Sequence, residues 1–195
     1  KIEAISPILH KIYNILLSSN EVEVEDVRNF HKNILSAHLN PKFFQKALKS
    51  LETILSNEAS FKRIMAKKSN FPEKLERIFK IVSLSESASE YLKTIPESVE
   101  TLLREDFTKI DTEDFSFGLK NLEIREIALK QKKIFIASIA KQIFEKDKNF
   151  CEVYSKVAED IVRSIFVKTA KEFSDSKISQ DISSKVAIFS LGRLG

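Results

Sequence analysis

The chain has 195 residues, 43% hydrophobic and 31% charged, with a formal net charge of +4. That balance excludes an intrinsically disordered chain, which lacks the apolar surface to order itself, and the length suffices for one sizeable domain or two small ones. Three glycines (Gly118, Gly192 and Gly195) are too few for a sheet protein rich in tight turns, and the single cysteine, Cys151, excludes an internal disulfide framework.

No stretch approaches the roughly 18 consecutive apolar residues of a membrane span, and no signal peptide is visible. With one cysteine, the chain fits a reducing cytoplasm, and no membrane partner is expected. It opens on Lys1, so the natural N-terminus is expected to be missing or processed. Lysines and glutamates are interspersed. The densest basic run, Lys130-Gln131-Lys132-Lys133, is short and lacks interleaved aromatic residues, so no nucleic-acid partner is expected.

Ser6-Pro7 opens the first predicted helix, with proline in a turn whose N–H groups are unpaired anyway. Ile8, Leu9, Ile12, Tyr13, Leu16 and Leu17 form its apolar stripe, and Ser18-Ser19-Asn20 ends it. Glu21 to Glu25 alternates like a strand. A second helix runs through Val27, Phe30, Ile34 and Leu35. Asn40-Pro41 is an N-cap followed by proline at the first helical position, and Phe44, Ala47, Leu48, Leu51, Ile54 and Leu55 keep helical spacing behind it. A short helix lies around Phe61, Ile64 and Met65. Pro72 starts another, with Leu75, Ile78, Phe79 and Val82 inward. The serine-rich run Ser83 to Ser89 breaks or caps a helix, and Pro96 begins one carrying Val99, Leu102 and Leu103.

Residues 104–118 are acidic and irregular and mark an internal boundary. Two long helices are predicted after them. The first covers roughly 119–146, and the second carries the stripe Tyr154, Val157, Ala158, Ile161, Val162, Ile165, Phe166, Ala170 and Phe173. Ser174 to Ser184 is polar and loop-like. Lys185 to Leu191 is β-branched and aromatic and reads as a buried strand, closed by Gly192-Arg193-Leu194-Gly195. The predicted fold class is therefore all-α, a bundle of about seven to nine helices with one C-terminal strand. A strand and glycine turn after a helical bundle are expected to open a further, α/β domain whose remaining strands are missing. The predicted organisation is 1–106, a helical spacer; 107–184, two long helices; and 185–195, the first strand and turn of the truncated domain.

Few constellations carry chemistry. His31 and His38 are seven apart and His10 is remote, so the close pairs of a zinc site are absent and surface histidines are expected. Cys151 sits at a helix start without a paired histidine and reads as a small packed side chain. Asp111-Thr112-Glu113 has the spacing of paired carboxylates but lies in the linker, where solvated acid and an N-cap are the simpler reading. No metal ligands or catalytic residues are assigned. Gly192-x-x-Gly195 is not a Walker loop, which needs G-x-x-x-x-G-K-[ST], and no KH-like sheet precedes it. Two readings of the pair remain, simple chain reversal and a turn offering backbone N–H groups to a nucleotide phosphate.

Val186-Ala187-Ile188-Phe189-Ser190-Leu191-Gly192-Arg193-Leu194-Gly195 resembles the first strand and turn of the glutamine synthetase adenylyltransferases, in which a hydrophobic strand is followed by G-[KR]-x-G-G-x-E-L and then S-D-x-D. Ser85, Ala88, Leu92 and Pro96 also resemble that family's pattern, as do Leu122 with Arg125-Glu126-Ile127, although Ala128-Leu129 stands where leucine-arginine is usual. Ser155 to Asp160, with Ile161, Ile165 and Phe166, is similar to the family's helix leading into the catalytic strand, and the Ser6-Pro7 helix and Phe43 to Leu55 to its spacer before the second nucleotidyltransferase domain. The resemblance implies a parent enzyme that moves AMP from ATP onto a tyrosine of glutamine synthetase, or removes it by phosphorolysis. It implies Mg2+ and ATP as cofactors of the parent and none for these residues alone. Glutamine synthetase and a nitrogen-signalling regulatory protein are the implied partners. Gly192 and Gly195 would be the nucleotide-facing residues. A non-enzymatic helical adaptor that binds a protein partner is the alternative expectation.

Overall fold

The computed structural model describes residues 6–36, 41–66, 69–109, 123–146 and 150–173. Among them the protein is all-α, with nine helices and no strand. The helices are α1 (Ser6–Leu17), α2 (Val24–Leu35), α3 (Pro41–Ser56), α4 (Glu58–Met65), α5 (Phe71–Leu84), α6 (Glu86–Thr94), α7 (Pro96–Leu103), α8 (Ile124–Glu145) and α9 (Phe150–Phe173). The chain divides into two compact units, Lys1–Thr108 and Lys109–Gly195. The predicted strand at 185–195 lies outside the described residues.

Prolines and polar caps set the helix starts. Pro7, Pro41, Pro72 and Pro96 each fall at the first or second position of a helix, where no intrahelical N–H is lost. Asn40, predicted as the cap of α3, lies outside the described residues. Asn57 separates α3 from α4, its side-chain oxygen accepting from the Ser60 N–H at 3.1 Å. Ser85 separates α5 from α6 in the same way, accepting from the Ala88 N–H at 3.2 Å. Ile95 is extended because the proline after it disfavours helical backbone, and α6 stops there.

The first unit is organised around α3 and α5, which pack on each other. Helices α1, α4 and α6 pack against α3, while α2, α6 and α7 pack against α5. Their buried residues include Ala47, Leu48, Leu51 and Ile54 of α3 and Leu75, Ile78 and Phe79 of α5. Phe44 meets Phe79 edge to face with ring centroids 5.5 Å apart, the arrangement the ring quadrupoles favour. Polar contacts then fix individual helices on this seam. Lys11 of α1 pairs with Glu52 of α3 at 3.2 Å. The Asn33 amide of α2 donates to Glu76 of α5 at 3.0 Å, and the Ser89 hydroxyl of α6 donates to Ser50 of α3 at 2.9 Å.

Three local expectations are corrected. Glu21 to Glu25 is not strand-like, because α2 begins at Val24 and the Glu23 N–H donates to the Asp26 carboxylate at 3.2 Å, which caps the helix. Leu17 and Leu35, predicted inward, are exposed. Each closes its helix one residue past a buried neighbour, Leu16 or Ile34, and so turns about 100° off the buried stripe. The long helix predicted from about 119 starts at Ile124, since Glu123 is extended and its N–H donates to the Glu126 carboxylate at 2.8 Å.

In the second unit α8 packs against α9. Ile127 of α8 meets Val157 and Ile161 of α9, with Ile134 and Ile165 partly buried beside them. Within the predicted α9 stripe, Val157, Ala158 and Ile161 are buried. Val162, Ile165 and Phe166 are only half-buried. Helix α8 is closed by its C-cap Lys146, which holds φ 56°, the left-handed region that glycine normally fills.

Two stability outcomes follow. Ile34→Ala is expected to cost about 2–5 kcal/mol, because Ile34 has no exposed surface. Leu35→Ala, with the side chain 56% exposed, should stay within about 0.5 kcal/mol. Equal shifts of the two in urea melts contradict the assignment of the buried face. Lys146→Gly is expected to stabilise by about 1 kcal/mol, since it removes a left-handed Cβ. A lowered urea midpoint for Lys146→Gly contradicts that backbone assignment.

Candidate functional site

Most residues singled out in the sequence fall outside the described part. Gly192 and Gly195 lie there, as do His38 and Asp111 to Glu113. Cys151 is on α9, but its side chain is not among those described. The two remaining histidines diverge. His10 is exposed, and His31 on α2 is half-buried against Tyr13 of α1. Among the described residues no group of three or more His, Cys, Asp or Glu side chains is placed to hold a metal ion. No helix among them is long and apolar enough to cross a membrane.

Tyr13 and His31 form a hydrogen bond across 18 residues of sequence, joining the Tyr13 hydroxyl to His31 Nδ1. The two rings are tilted, with centroids 5.7 Å apart. Burial disfavours the phenolate, and the Tyr13 hydroxyl is pushed up from 10.0 to about 12.

Among the described residues of the first unit, two open clefts are notable. One, of about 650 Å³, lies where the start of α5 meets the end of α7 and is lined by Ser69, Lys74, Leu103, Arg104, Glu105 and Asp106, with Ala66 at its edge. Lys74 is 5% exposed, which is unusual for an ammonium, because leaving water costs it hydration. Its Nζ donates to the Ser69 carbonyl and, at 3.3 Å, to the Ser69 hydroxyl. The Arg104 guanidinium grips the Asp106 carboxylate with two bonds of 2.8 Å. Behind them, the Arg77 guanidinium donates to the Arg104 carbonyl at 3.1 Å and lies 4.3 Å over the Phe107 ring. Two cations and two carboxylates thus share the lining.

The second cleft, of about 590 Å³, runs along α4 past Asn57, Glu58, Lys62 and Arg63. Lys62 pairs with Glu58 at 2.6 Å, which holds the Glu58 carboxyl below its usual range through the hydrogen bond and the charge. Arg63 is a tie between helices. Its Nε donates to Glu100 at 2.9 Å and its Nη2 to Glu97 at 3.2 Å, both on α7, and its Nη1 to the Ala59 carbonyl at 3.1 Å. Such a guanidinium sets the angle between α4 and α7 more than it offers donors to a ligand.

Comparison with family models, with curated proteins and with solved structures returned no match for this chain.

The polar groups of both clefts are engaged mainly with one another, as the contacts of Lys74, Arg104 and Arg63 show. None of Lys74, Arg63 or the Tyr13–His31 pair was legible in the sequence. Each depends on partners supplied by the fold, and a lone lysine or histidine in a helical pattern carries no sign of them. The Tyr13 hydroxyl gives a direct test. Its neutral form is favoured by folding, so its contribution is fully present below pH 10 and is lost as pH rises through about 12. Tyr13→Phe is expected to remove a late-titrating tyrosinate absorbance and to flatten the alkaline loss of stability in that window. Titration and stability curves that superimpose on the parent's contradict the burial of this hydroxyl.

Proposed function

We propose that this chain is the helical region of a glutamine synthetase adenylyltransferase, running into the start of a nucleotidyltransferase domain. The observation that carries the reading is the sequence Val186 to Gly195, a hydrophobic run closed by Gly-Arg-Leu-Gly after a long helical lead-in. Further support comes from the helices that hold the other family-like segments. Ser85 caps α6, Ala88 and Leu92 are buried on it, and Pro96 opens α7. Arg125, Glu126 and Ile127 form the first turn of α8, and Ser155 to Phe166 lies within α9.

In this reading the helices carry and orient the catalytic domain. Residues 1–195 contain no S-D-x-D, so the carboxylates that would hold Mg2+ for in-line attack on ATP belong to sequence following residue 195. The part assigned to this chain is the turn. In this proposal Gly192 and Gly195 are the residues without a Cβ that a tight turn and a close backbone approach to a phosphate require. Glutamine synthetase is the proposed substrate and a nitrogen-signalling protein the proposed regulator, in the cytoplasm.

A second reading, a helical adaptor that binds a protein partner, is favoured by apolar side chains open to solvent on the first unit. Val24, Leu35, Phe43 and Leu84 are each more than half exposed. The two readings part on nucleotide dependence.

The test uses the full gene product with ATP, Mg2+ and glutamine synthetase. AMP is expected on a glutamine synthetase tyrosine, and Gly195→Val is expected to lower the rate by about tenfold or more, a loss of roughly 1.4 kcal/mol in transition-state stabilisation. A reading frame past residue 195 that lacks G-x-E and S-D-x-D within about two dozen residues contradicts the proposal. Partner capture with no dependence on ATP or Mg2+ favours the adaptor.

A further inference from the structure

We draw no further inference here: the strongest candidate, the cleft where the start of α5 meets the end of α7, carries no ligand because its buried Lys74 ammonium is held by Ser69, its Arg104 guanidinium is gripped by Asp106, and the two cations and two carboxylates of its lining balance in charge.

Discussion

The first unit depends on one packing event, the burial of α3 against α5. Its helices have 8 to 16 residues, lengths at which an isolated helix is marginal in water. Each must therefore lay an apolar face on a neighbour to persist. The pair α3 and α5 supplies that neighbour, and every other helix of the unit packs on one or both of them. Phe79 of α5 and Leu48 and Ile54 of α3 have no exposed surface. A buried Leu or Ile side chain there contributes about 1.5–3 kcal/mol of transfer free energy. By comparison an exposed ion pair such as Lys46 with Glu86, 2.6 Å apart, is screened by water and contributes little. Burial holds the helices together, and the polar contacts choose their register. Arg63 illustrates the second role, since three acceptors on two helices fix one guanidinium.

The second unit solves the same problem differently. Helices α8 and α9 are long, with 22 and 24 residues, and meet through Ile127, Val157 and Ile161. Buried residues on α8 also include three in a row, Ile136, Ala137 and Ser138, with Ala140 just beyond. A narrow contact buries a stripe, whereas three consecutive buried positions span about 200° of the helix circumference.

Much of the fold could be read in the residues, for reasons that are local. Proline lacks an N–H and presets φ, so Pro7, Pro41, Pro72 and Pro96 suit the first turn of a helix and not its interior. The Ser85 hydroxyl competes for a backbone N–H, so it marks a break. The stripes Ile8–Ile12–Leu16 and Val27–Phe30–Ile34 gave the buried faces because helical spacing is geometric. What failed was also physical. Periodicity says which way a side chain points, not whether a neighbour extends far enough to cover it, so Leu17 and Leu35 at helix ends were misplaced. Alternation at Glu21 to Glu25 imitated a strand because a capping carboxylate and a turn happen to share its period. The candidate site was less legible than the fold. Gly192 and Gly195 rest on the sequence motif alone, and Tyr13 with His31 and Arg63 with Glu100 join positions 18 and 37 residues apart, pairings that no local pattern encodes.

The claim that the α3–α5 seam organises the first unit is most directly tested by native-state hydrogen exchange. Amides at the centres of α3 and α5 should exchange only through global opening, with the largest protection in that unit, while those of α1 and α2 open at lower free energy. Maximal protection in α1 or α2, with α3 or α5 exchanging through local fraying, contradicts the account.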